Sequence, residues 1–168
     1  LERMGARVDI WKVGRAFAAL KLRETKGLFG GELAGHYYFS DFYYSDSALM
    51  ACLTILRLVK RFRDEGLKVS EIVKKIDIYA NSGEINLKIG NKDAAMEALK
   101  KFFTEKETPT VSYDFDGYRI EFKTWWFNVR PSNTEPYLRL IVEADTEMML
   151  QQKVEEAKTI LKPFLSNG

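Results

Sequence analysis

At 168 residues the chain has room for one ordinary domain or two small ones, at roughly 100 to 200 residues per domain, which excludes a long multidomain enzyme. Hydrophobic residues at 46% and charged residues at 30% describe a chain that folds around a core and exclude the low-hydrophobicity signature of disorder. Lys and Arg number 26 against 24 Asp and Glu, so the net charge of +2 provides no global field for nucleic acid or an anionic membrane, and any anion site is local.

Val8, Ile10 and Trp11 predict a strand over Ala6–Lys12, closed by Gly14. Phe17, Ala18, Leu20 and Leu22 predict a helix over Arg15–Thr25, stopped by Lys26 and Gly27. Leu28 and Phe29 then lead as a strand into the glycine-dense stretch Gly30 to His36, which reads as a loop because glycines there oppose a helix. After the aromatic run Tyr37 to Tyr44, Ser45 or Asp46 is placed to cap a helix reaching about Glu65, with Gly66 just beyond it. Leu49, Leu53, Leu56 and Val59 form its apolar stripe, and Cys52 is read as core. As the single cysteine, Cys52 excludes an intrachain disulfide and a cysteine zinc cluster, in keeping with a reducing compartment. A short helix at about Glu71–Lys75 follows, with Ser70 as its cap.

Asn81-Ser82-Gly83 reads as a turn or linker, so two domains are expected, 1–78 and 79–168. Ile85, Leu87 and Ile89 alternate as a strand. Asn91 then caps a helix whose face carries Ala95, Met96, Leu99, Phe102 and Phe103. Asp116-Gly117 between two alternating runs predicts a two-residue hairpin turn, with Phe115 opposite Tyr118, Tyr113 opposite Ile120, Val111 opposite Phe122 and Asp114 facing Arg119. Trp125–Arg130 and Tyr137–Ala144 are two further strands. Asp145 or Thr146 caps a last helix carrying Leu150, Val154, Ala157, Leu161 and Phe164. The expected fold is therefore α/β for the first part and, for the second, a small two-layer α+β domain with a mainly antiparallel sheet and two helices.

Two loops carry the chemistry. In Arg130-Pro131-Ser132-Asn133-Thr134-Glu135-Pro136 a guanidinium fork, two hydroxyls, an amide and turn N–H groups can converge on a tetrahedral oxyanion, with phosphate the natural guest. A polar connection whose Asn, Ser and Pro merely form turns is the competing reading. In Gly31-Glu32-Leu33-Ala34-Gly35-His36, flanking glycines allow a ligand close to the backbone and present a carboxylate beside an imidazole, which suits sugar hydroxyls; an ordinary loop is the alternative. One His, one Cys and scattered carboxylates make no recognisable metal-ligand set, and no nucleophilic triad is visible. Asp114-Phe115-Asp116 is a hairpin tip rather than a metal loop, and Lys60 to Arg63 is a solvated helix end. The aromatics of Tyr37–Tyr44 are chiefly packing.

Three elements together carry a resemblance: Lys12-Val13-Gly14-Arg15, then Gly31-Glu32-Leu33-Ala34-Gly35-His36 with the aromatic run and Ser45-Asp46-Ser47, then Arg130 to Pro136. In this order they resemble the C-terminal part of an α-D-phosphohexomutase of the phosphomannomutase/phosphoglucomutase type, covering the end of domain 3 and domain 4. The resemblance implies that Glu32, His36 and Arg15 meet the sugar, and that Arg130, Ser132, Asn133 and Thr134 hold the phosphate that is not transferred. It also implies an intact enzyme interconverting hexose 6-phosphate and hexose 1-phosphate, of mannose or glucose, through a phosphoserine and a hexose 1,6-bisphosphate that serves as intermediate and activator. Ala34 stands where the family commonly has Ser, and Arg15 where it often has His.

The family's catalytic serine and its Asp-x-Asp-x-Asp Mg²⁺ loop belong to preceding domains, so no catalytic residue and no metal ligand is expected in this chain. Alone it is expected to be inactive, because in-line phosphoryl transfer needs donor, metal and acceptor placed together. Its partners are then the phosphosugar and the N-terminal domains of the same protein, with self-association through an incomplete third domain as a further expectation. A stand-alone, non-catalytic phosphosugar-binding module is the alternative. The chain opens on Leu1, which reads as a processed or excised end or as a piece of a longer chain. Lacking an apolar run near the roughly 20 residues of a membrane span, and lacking a signal-peptide core, it is expected in the cytoplasm.

Overall fold

The computed structural model describes residues 1, 4–132 and 135–166, which fall into two compact units, Leu1–Ile76 and Asp77–Gly168. No helix among the described residues is long and apolar enough to cross a membrane.

In the first unit, helix α1 spans Arg15–Thr25, the predicted range, and ends on Lys26 in the left-handed region. The strand expected over Ala6–Lys12 does not form: among the described residues the segment joins no β-ladder, and Val8, Ile10 and Trp11 remain exposed. Hydrophobic alternation alone does not make a strand without a ladder to join. Instead, β1 (Phe29–Gly31), β2 (Tyr37–Phe39) and β3 (Ser45–Asp46) form an antiparallel sheet in that order, with Phe29 opposite Phe39 and Tyr38 opposite Asp46.

Helix α2 covers Ala48–Asp64 and is capped by Ser47, whose hydroxyl accepts from the Met50 N–H. Ser45 and Asp46, the expected caps, are engaged in β3 pairing. Helix α3 spans Val69–Ile76, one turn wider than predicted, with the Lys68 N–H donating to Glu71. Burial also departs from expectation. Among the described residues of this unit only Leu22, Tyr38 and Ala51 are buried, whereas Leu49 is 70% and Leu53 53% exposed, and Cys52 lies at the surface. The amphipathic pattern of α2 was legible, but Leu49, Leu53 and Leu56 of its stripe are exposed and Val59 is only partly buried.

The second unit is a sheet backed by two helices. Strands β4 (Ala80–Asn81), β5 (Ile85–Lys88), β6 (Val111–Tyr113), β7 (Tyr118–Glu121), β8 (Trp125–Pro131) and β9 (Tyr137–Ala144) are all antiparallel, in the order β4-β9-β8-β7-β6 with β5 also on β9. Helix α4 (Lys92–Lys106) is capped by Asn91, which accepts from Ala94 N–H, and α5 (Glu147–Leu161) by Thr146, which accepts from Met149 N–H. Alternation sends Phe127 and Val129 of β8 and Leu138, Leu140 and Val142 of β9 under these helices. There they meet Leu99, Phe103, Ala157 and Leu161, with Phe103 edge-on to Trp125 at 4.7 Å between ring centroids.

Two register details differ from the sequence reading. The β6–β7 hairpin pairs Ser112 with Ile120 and Tyr113 with Arg119, one residue away from the predicted register. Its connection is therefore longer than the two-residue turn expected, with Gly117 at φ +70°. A Cβ on Gly117 would sit 2.2 Å from the Val129 carbonyl oxygen, so the hairpin's close approach to β8 decides the turn. The slip removes the expected Asp114–Arg119 pair, and Arg119 bonds Glu121 at 2.7 Å instead.

The second detail concerns Asn81-Ser82-Gly83, which makes the turn joining β4 to β5, both paired with β9. Ala80 pairs with Ala144 but Ile85 with Leu140, so one extra residue separates β4 from β5. Gly83, at φ +64°, supplies the bulge, and just before it the Ser82 N–H donates to the Val142 carbonyl while the Val142 N–H donates to the Ser82 hydroxyl, each at 2.9 Å.

Candidate functional site

Each unit presents one polar cluster. In the first, β1 and β2 are joined by Leu33-Ala34-Gly35. The Glu32 N–H donates to the His36 carbonyl at 2.9 Å and Gly35 N–H to the Glu32 carbonyl at 3.0 Å, with Gly35 at φ +84°. This three-residue loop sets Glu32 directly opposite His36, so their side chains leave the same face of the hairpin as neighbours. Two further residues of that face hold them.

Tyr38 lies two residues beyond His36 on β2 and opposite Gly30. Its ring is fully buried and its hydroxyl donates to Glu32 Oε1. Burial first, and the carboxylate second, push the Tyr38 phenol far above its ordinary range, so it remains a donor. Asp46, opposite Tyr38 on β3, accepts from Tyr37 N–H at 2.9 Å and lies 2.6 Å from His36 Nδ1. The Tyr37 N–H, and then His36, hold the Asp46 carboxyl below the usual carboxylate range. An ionised Asp46 can only accept, which assigns the proton to His36 Nδ1 and leaves Nε2 for a ligand. Arg15 opens α1, and its positive charge acts on both Asp46 and Tyr38. The cluster thus presents the Glu32 carboxylate and the His36 imidazole from one hairpin, with the Arg15 charge acting on their partners, a set matched to hydroxyl groups.

In the second unit, the β8–β9 connection begins at Arg130. The Ser132 N–H donates to the Tyr137 carbonyl at 2.9 Å, closing the strands, and its buried hydroxyl accepts from Glu135 N–H at 3.2 Å. Asn133 and Thr134, the other two expected anion donors, lie outside the described residues. Arg130 faces away from the helices, directly opposite Arg139 on β9. Both guanidinium groups approach Glu84 Oε2, at 3.9 Å from Arg130 Nη2 and 3.5 Å from Arg139 Nη1, and Arg139 Nη2 meets Glu135 at 3.1 Å.

Sequence reasoning missed Tyr38, Asp46, Glu84 and Arg139 as parts of these clusters. Outward alternation along Tyr137–Ala144 was a usable signal for Arg139, but Glu84 reaches the same face only through the Gly83 bulge. Among the described residues no group of three or more His, Cys, Asp or Glu side chains could hold a metal ion. The described residues therefore do not fit Mg²⁺.

An α/β unit with a Glu–His hairpin, followed by an antiparallel α+β unit with an arginine-led loop, defines a two-domain portion of a sugar-phosphate mutase fold. Residues 1–79 match the alpha/beta/alpha domain III of phosphoglucomutase/phosphomannomutase, and residues 84–159 match the C-terminal domain of the same proteins. The chain belongs to this family. It is 37% identical over 161 residues to a phosphomannomutase of Methanocaldococcus jannaschii, covering 96% of this chain and 34% of that protein. A phosphomannomutase of Escherichia coli is 38% identical over 163 residues, covering 95% and 34%. The chain thus spans about a third of the length of these curated relatives. A crystal structure of a phosphoglucomutase/phosphomannomutase family protein from Burkholderia thailandensis has the same fold, with TM-score 0.68 at 24% identity over 93% of this chain and 33% of that one.

Proposed function

We propose that this chain is the sugar- and phosphate-recognising part of a hexose phosphomutase. The intact protein would interconvert hexose 6-phosphate and hexose 1-phosphate, of mannose or glucose, through a hexose 1,6-bisphosphate and a phosphoserine supplied by preceding domains. The observation that carries the reading is the pairing of Glu32 with His36 across the hairpin, each braced from β2 or β3 by a buried or ionised partner. Preorganised acceptors bind hydroxyls without first losing side-chain entropy, which is what recognition of a small polar sugar requires.

In the second unit, Arg130, Ser132, Asn133 and Thr134 would hold the phosphate that stays on the sugar. A guanidinium fork and short hydroxyl donors suit phosphate at either end of the sugar, as a bisphosphate that must turn over between two transfers demands. Arg15 would add positive charge at the sugar-reading cluster. Binding energy spent on the phosphate that is not transferred orients the reacting hydroxyl, so these residues would act on kcat/KM although none touches the transferred group. The 168-residue chain alone would then bind without turning over.

Arg130→Ala in the intact protein should lower kcat/KM for mannose 1-phosphate or glucose 1-phosphate by at least about a hundredfold, as loss of a charge-assisted bidentate contact implies. An unchanged kcat/KM would sink the phosphate role. Saturable amide shifts at Glu32–His36 on titrating the labelled chain with the two sugar phosphates would identify the preferred epimer. A protein that binds the sugar phosphates yet has no mutase activity in its intact form would instead be a binding module.

A further inference from the structure

A lysine in the first turn of a helix meets the positive end of the helix dipole, where a carboxylate is stabilising and a cation is not. Lys92 opens α4 directly after the Asn91 cap, beside Asp93, which is the charge the dipole favours. Lys92 thus runs against the local preference of its own helix, and such a departure calls for a reason outside the helix. Its ammonium leaves α4 and donates to the Glu135 backbone carbonyl at 3.2 Å, joining residues 43 positions apart.

Glu135 lies toward the far end of the loop that Arg130 opens. Its N–H donates to the Ser132 hydroxyl at 3.2 Å, and its carboxylate meets Arg139 Nη2 at 3.1 Å. Glu135 is therefore held at three points: its N–H by Ser132, its side chain by Arg139 and its carbonyl by Lys92. Ser132 is buried, and its own N–H is bound to the Tyr137 carbonyl. With its oxygen accepting from Glu135, the Ser132 hydroxyl keeps its proton for an external acceptor. A backbone carbonyl turned toward a bound anion would repel it. Lys92 holds the Glu135 carbonyl from the helix layer, whereas Arg130 leaves the opposite face of the sheet.

We propose that Lys92 is a positioning residue for the Arg130–Pro136 loop: its ammonium fixes the Glu135 peptide, which in turn orients the Ser132 hydroxyl for phosphate before phosphate arrives. A loop already held in its binding conformation loses less backbone freedom on binding, so a tie at its far end raises affinity. Lys92 acts through Glu135 and Ser132 rather than as a ligand. This assignment rests on the phosphate reading of the Arg130 loop and extends it to a residue of α4.

The test is titration of the full 168-residue chain with inorganic phosphate, followed by the amide shifts of Arg130, Ser132 and Glu135. Lys92→Met should weaken phosphate binding by about three- to tenfold, the value of one intramolecular hydrogen bond. Its denaturant midpoint should hold or rise, because α4 loses an unfavourably placed cation. A residue that only supported the fold would lower both. Lys92→Arg, which retains a donor, should recover most of the affinity. The ratio of unmodified to Lys92→Met affinity should persist in 1 M salt, where the Debye length falls to about 3 Å. A ratio that collapses there would mean that Lys92 acts by charge through space, and would overturn the positioning role. If Arg130→Gln abolishes binding while Lys92→Met changes nothing, or lowers midpoint and affinity together, the assignment of Lys92 is overturned and the loop reading stands. If the unmodified chain shows no saturable shifts, or if Arg130→Gln is silent, the loop reading falls and this assignment with it.

Discussion

The Tyr38 hydroxyl donates to the Glu32 carboxylate across the position of Gly30, the residue paired with Tyr38. A Cβ on Gly30 would lie 3.1 Å from Leu22 Cδ1 and 3.5 Å from Tyr38 Cδ2, so the absent side chain leaves the room that Leu22 of α1 and the Tyr38 ring occupy beside it. Tyr38→Phe keeps the ring and its burial but removes the donor. It should preserve the fold and weaken sugar phosphate binding by about three- to tenfold, the value of one hydrogen bond to a charged group acting through position. Inorganic phosphate binding should not change. Equal losses for the sugar phosphate and for phosphate would show that Tyr38 acts through folding alone.

Asp46 gives the first cluster an acid limit. Its carboxyl is held low by the Tyr37 N–H and by His36, so the contact contributes stability above the ordinary carboxylate pKa and loses it as pH falls through the depressed folded value. The Tyr37 amide signal should therefore titrate below about pH 4, the unperturbed aspartate range. Asp46→Asn should abolish that titration. A Tyr37 signal that moves near neutral pH would contradict an ionised Asp46.

Gly117 links the β6–β7 hairpin to the arginine that opens the phosphate loop. Any side chain there would meet the Val129 carbonyl at 2.2 Å and Arg130 Cα at 2.7 Å, in a left-handed conformation that already disfavours it. Gly117→Ala should cost at least about 2 kcal/mol, from strain plus displaced backbone. The denaturant midpoint measures it, and phosphate affinity should fall with it because Arg130 must shift.

Stability should be unequal between the units. Phe103 is 1% exposed among three aromatic neighbours, so Phe103→Ala should destabilise the second unit by about 3 to 5 kcal/mol. Leu53 of α2 is half exposed, and Leu53→Ala should change the unfolding free energy of this chain by no more than about 0.5 kcal/mol. Comparable losses at the two positions would mean that the α2 stripe is covered in solution.

What the sequence determined by itself is the local part of the architecture. Periodicity and caps placed α1, α4 and α5, because a helix is closed by residues three and four apart and Asn91 and Thr146 serve N–H groups within a single turn. The two strands expected over Trp125–Arg130 and Tyr137–Ala144 formed as β8 and β9. The two loops were visible as Glu32 with His36 and as Arg130 with Ser132, since each is contiguous in the chain.

Tertiary structure decided whatever depends on a neighbour distant in sequence. Among the described residues the Ala6–Lys12 alternation found no ladder, the β6–β7 turn yielded its register to β8, and most of the α2 stripe stayed exposed. Tyr38 reached Glu32 through the gap at Gly30, and one extra residue at Gly83 turned Glu84 toward a pair of arginines that pattern alone had left apart. Cross-strand pairing brings together residues tens of positions apart, and a shift of one residue reverses which face each side chain occupies, so these relationships exist only in the folded chain.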